Sequence, residues 1–83
     1  MFKNKAKNNT NNVCGRNIYE LRTRAEPRLS QRMLAEKLQL HGIDVDKNAV
    51  QRIESGKRFV TDVELKALSQ IFNVTCDDLL KED

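Results

Sequence analysis

LSQRMLAEKLQLHGIDVDKNAVQRIESGKR, residues 29–58, decides how this 83-residue chain folds. Ser30 is an N-cap residue, whose side-chain oxygen accepts a backbone N–H of the first helical turn. Leu34, Ala35 and Leu38 recur at the spacing of one helix face, and Gly42 supplies the left-handed residue that ends the helix. These signals predict a helix over residues 31–41. Asp46 is the next cap and Gly56 the next stop, so a shorter helix is expected over residues 47–55, with Ala49, Val50 and Ile53 on its apolar side. At about 100 degrees per residue, Lys47, Asn48, Gln51, Arg52 and Ser55 fall within an arc of roughly 140 degrees opposite that side. A helix this short is not stable alone. Its apolar side has to be docked, which leaves a hydrophilic edge facing outward.

Helical spacing continues on both sides of this stretch. Upstream, Ile18, Leu21 and Ala25 share a face, and Pro27 stops that helix. Downstream, TDVE at residues 61–64 is a capping box opening a helix whose Leu65, Leu68, Ile71 and Phe72 face the core, and Asn73 closes it. Thr75 caps a last short helix, with Asp77 and Asp78 complementing its dipole and Leu79 and Leu80 returning to the core. No segment alternates like a strand. The expected fold is all-α: a compact bundle of five short helices over residues 15–83. After Met1, residues 2–14 hold only Phe2 and Val13 as large apolar side chains, so a flexible basic arm is expected over residues 1–14. Its Lys3, Lys5 and Lys7 either touch a polyanion or stay solvated.

Charge is distributed unevenly. The total is +3, but residues 1–38 carry nine basic and three acidic side chains, whereas residues 61–83 carry two and six. Such a dipole suits a molecule that offers one face to a polyanion and turns the other away. Cys14 and Cys76 form no CxxC, and the single His41 has no second ligand at metal spacing, so neither a metal nor a cofactor is expected. Without a nucleophile–base pair, no catalytic residue is expected and the chain is not read as an enzyme. Nor is there an apolar run of roughly 20 residues to span a bilayer, which makes a cytoplasmic protein the expectation.

The outward edge of residues 47–55 carries the side chains that read bases. Arg and Lys donate to guanine O6 and N7, and Asn or Gln bond bidentately to adenine. LSQRMLAEKL followed by NAVQRIESGKR resembles the phage-repressor and Cro-like helix-turn-helix family, also called the xenobiotic response element family. With the first helix and VTDVELKALSQIFNVTCDDLL, the likeness covers about residues 18–80. It implies a lambda-repressor-like DNA-binding domain in which the second and third helices form the helix-turn-helix. By that resemblance Lys47, Asn48, Gln51 and Arg52 face the major groove, while Gln31, Arg32, Ser55, Lys57 and Arg58 contact phosphate. Arg22 matches a first-helix arginine that pairs with the glutamate at Glu54. The resemblance further implies a transcriptional regulator of repressor type, bound to double-stranded DNA as a homodimer on a palindromic operator. Val74, Leu79 and Leu80 either supply the dimer contact or close the monomer core. A different reading keeps the fold but makes it an antitoxin-like module for a partner protein, with DNA binding secondary.

Two features depart from the family. QLHGIDVD, residues 39–46, puts about five extra residues into the turn, with Ile43 and Val45 expected as apolar pins. AEPRLS, residues 25–30, lengthens the preceding turn by about two.

Overall fold

The structure, a computed structural model, describes residues 10–82. Its elements are α1 (Gly15–Arg24), α2 (Gln31–Leu40), α3 (Lys47–Glu54), α4 (Asp62–Phe72) and α5 (Cys76–Leu80), and there is no strand among the described residues. Each start has a local cause. The side chains of Ser30, Asp46, Thr61 and Thr75 accept backbone N–H groups of the helices they open, and Thr61–Glu64 closes a reciprocal box. Asn73 ends α4 with φ 55 and Gly42 follows α2 with φ 82, both left-handed.

Every helix sends a fully buried side chain into one core: Ile18 from α1, Leu34 and Leu38 from α2, Val50 and Ile53 from α3, Leu68 from α4 and Leu79 from α5. Each is worth about 1.5–3 kcal/mol of transfer, against about 1 kcal/mol for a typical cap. Packing therefore holds the helices, and the caps decide where they begin.

Several boundaries differ from the expectation. Residues 10–14 belong to the domain rather than to an arm: Cys14 is 1 % exposed, and Asn11 and Asn12 hydrogen-bond to the end of α3 and the loop behind it. Burial pushes the Cys14 thiol up to about 11, so it stays protonated at neutral pH. The rest of the expected arm, with Lys3, Lys5 and Lys7, lies outside the described residues. α1 ends at Arg24, leaving Ala25 extended. Leu80 is exposed while its neighbour Leu79 is buried, because adjacent residues on one helical turn point in different directions.

The long α2–α3 connection folds back on α2. Ile43 N–H donates to Leu38 O at 3.0 Å, Gln39 Nε2 donates to Val45 O at 2.8 Å, and Val45 is buried with Ile43 half-buried beside it. Its extra length is thereby taken up at the end of α2. No helix is long and apolar enough to cross a membrane among the described residues.

Candidate nucleic-acid interface

α3 is docked by Val50 and Ile53, both 2 % exposed or less. Lys47, Asn48, Gln51 and Arg52 stand on its other side, all exposed. None of these four side chains makes a hydrogen bond or ion pair to the described residues, so each keeps its donors for an external acceptor. Asp46 Oδ1 accepts from Ala49 N–H at 2.9 Å and fixes where this edge starts. Ser55 is exposed just beyond the helix, its hydroxyl donating back to Arg52 O at 3.3 Å.

The other end of α3 is held by Glu54. Arg22 Nε donates to Glu54 Oε2 at 2.6 Å and Nη2 to Oε1 at 3.0 Å, with the two side chains 8 % and 6 % exposed. A third guanidinium nitrogen, Nη1, donates to Leu29 O at 3.0 Å. Gln31 Nε2 adds a bond to Glu54 Oε1 at 3.0 Å. One carboxylate thus joins α1, the first residue of α2 and the last residue of α3. This geometry fixes the angle between the two helices of the helix-turn-helix, and it takes up part of the Gln31 amide that the resemblance assigns to phosphate. Arg32 stays exposed, in a 3.5 Å ion pair with Glu36 on the same helix.

Behind α3, Lys57 and Arg58 take different parts. Lys57 N–H donates to Arg52 O at 2.9 Å and Lys57 O accepts from Asn11 Nδ2 at 2.9 Å, so the backbone is fixed while the ammonium is exposed. Arg58 instead turns inward. Its Nη1 and Nη2 donate to the two Glu64 oxygens at 2.9 and 3.0 Å, tying the loop to the start of α4. Its charge is matched within the fold, so this geometry does not favour the phosphate role expected for Arg58. Burial pushes the Glu64 carboxyl up, but bonds from Arg58 and the Thr61 N–H outweigh it and hold the group below its ordinary value.

Sequence reasoning missed Asn12 altogether. The Ile53 and Arg58 carbonyls that its amide donates to are more than 40 positions away, and no local signal marks an asparagine in an Asn-rich stretch as the one that bonds them. The helix-turn-helix family model matches residues 18–79, which takes in all five helices except the first turn of α1 and the last residue of α5. No curated protein and no solved structure matches the chain.

Proposed function

Because this chain belongs to the phage-repressor and Cro-like helix-turn-helix family, we propose that it is a sequence-specific transcriptional regulator that reads the major groove with α3. The observation that carries this reading is the exposed edge of Lys47, Asn48, Gln51 and Arg52, unbonded among the described residues, on a helix whose opposite side is buried. Those donors match the groove edges of guanine and adenine. Phosphate contacts come from Lys57 and from the start of α2, where Gln31 and Arg32 offer backbone N–H groups at the positive end of the helix dipole.

Eight residues make a helix about 12 Å long, and at about 3.4 Å per base pair that spans three or four pairs. One copy reads too little sequence to find a unique site. The reading therefore includes a homodimer on a palindromic operator, with the two α3 helices one turn of DNA apart, about 34 Å. Repression follows from occupancy, since a protein seated across a promoter excludes polymerase, as in regulators of phage or mobile-element type.

Selection from a random duplex library tests the proposal. An enriched palindrome with half-sites one turn apart is the expected result; recovery of unenriched sequence, or binding indifferent to salt, would overturn it. Within the same assay, Lys57→Ala should weaken selected and random duplexes alike and lower the salt slope by about one. An unchanged slope would remove Lys57 from the phosphate contacts.

A further inference from the structure

Residues 10–15 cross the C-terminal end of α3, outside the span that the family model covers. Asn12 is the centre of this strap. Its Oδ1 accepts from Gly15 N–H at 2.8 Å, which caps α1 where Cys14 offers no side-chain cap. Its Nδ2 donates to Ile53 O at 3.1 Å and to Arg58 O at 2.7 Å. Next to it, Asn11 N–H donates to Gly56 O at 2.7 Å and Asn11 Nδ2 to Lys57 O. Four carbonyls from the last turn of α3 and the loop after it are therefore answered by two consecutive asparagines. Three of these carbonyls belong to the loop after α3, and the fourth, Ile53 O, accepts from Asn12 in addition to the Gly56 N–H at 3.0 Å. The fit is close on both sides: a Cβ at Gly15 would collide with Ile53 O, and a Cβ at Gly56, which has φ +80, would stand 2.7 Å from the Thr10 methyl.

We propose that Asn12 is a positioning residue for DNA recognition, fixing from outside the helix-turn-helix where the end of α3 and Lys57 stand relative to α1. The inference rests on the reading of α3 as the recognition helix. α3 has only two turns, and Arg52 sits in the last of them, directly before the carbonyls that the strap holds. Base-edge hydrogen bonds weaken steeply with misalignment. Loosening the loop that closes that turn shifts the direction of Arg52 and Lys57, while buried Ile53 and the Glu54 ion pair keep α3 docked.

Two substitutions separate the cap from the clamp. Asn12→Asp keeps an acceptor for Gly15 N–H but has no donor for Ile53 O and Arg58 O; Asn12→Ala removes both. The probe is the duplex that the wild-type protein enriches from a random library, titrated beside a random duplex well below the melting temperature. Both variants are expected to lower the ratio of selected to random affinity by about tenfold, the scale of one lost base contact. Taking the ratio cancels the charge that Asp adds. Ile71→Ala, which trims a half-buried side chain packed on the core from the last turn of α4, should lower stability and leave the ratio unchanged. An unchanged ratio in folded Asn12→Ala and Asn12→Asp would overturn the proposal. If neither folds, Asn11→Ala, which frees Lys57 O alone, decides by the same ratio.

Hydrogen exchange in the free protein reads the clamp without DNA. In Asn12→Ala the Gly56, Lys57 and Arg58 amides should exchange faster relative to those of α2. A uniform rise across the domain would mean general destabilisation and would sink the inference. Failure of the wild-type protein to enrich any duplex would instead remove the recognition reading, with the exchange result still deciding whether the strap holds α3.

Discussion

Glu54→Ala should destabilise the domain by about 3–5 kcal/mol, the cost of leaving one partner of a buried ion pair uncompensated. A domain of this size holds about 4–12 kcal/mol in total, so the variant is expected to lose from about a quarter to all of its stability. The reason lies in what remains. Arg22, with its side chain 8 % exposed, would keep only its hydrogen bond to Leu29 O and its place over the Tyr19 ring, and Gln31 would lose the carboxylate that it donates to. Urea unfolding followed by circular dichroism measures the effect. The double change Arg22→Met with Glu54→Leu should recover much of the loss, because no buried charge is then left alone. A cost below about 1 kcal/mol for the single change would class the pair with surface bridges and remove Glu54 as the joint of the three helices.

The second large effect falls on binding and spares the fold. Arg52→Ala or Asn48→Ala should each weaken the selected duplex by about 1–3 kcal/mol, between fivefold and a hundredfold or more. The melting temperature should stay within about 2–4 °C, since both side chains are exposed and make no side-chain bond among the described residues. Fluorescence anisotropy with selected and random duplexes separates the two residue classes: these changes should spare random DNA far more than Lys57→Ala does. A variant that melts early, or that loses both duplexes equally, would show that its side chain does not read bases.

The order and caps of the helices were legible because their causes are local. Ser30, Asp46, Thr61 and Asn73 lie within a few residues of the groups they satisfy, and the helix repeat marks Leu34, Leu38, Val50 and Ile53 as inward-facing. Ile43 and Val45 were legible as pins because they are the apolar side chains between Gly42 and Asp46 in the long connection. What stayed hidden depends on partners far along the chain. Arg58 reads as one more cation beside Lys57, and only the folded chain shows that it faces Glu64. The strap from Thr10 to Cys14 sits in a polar, Asn-rich stretch that composition assigns to disorder, yet the hydrogen bonds of Asn11 and Asn12 and the burial of Cys14 hold it on the domain. Composition weighs average burial and cannot see a few well-placed amides.

The four outward side chains of α3 make no hydrogen bond or ion pair among the described residues. On the proposed reading, new combinations of residues at 47, 48, 51 and 52 can therefore arise and be tried against new operators without passing through unstable intermediates. Under that reading target preference is free to drift while the scaffold stays as it is, and gene copies with diverged operators share one architecture.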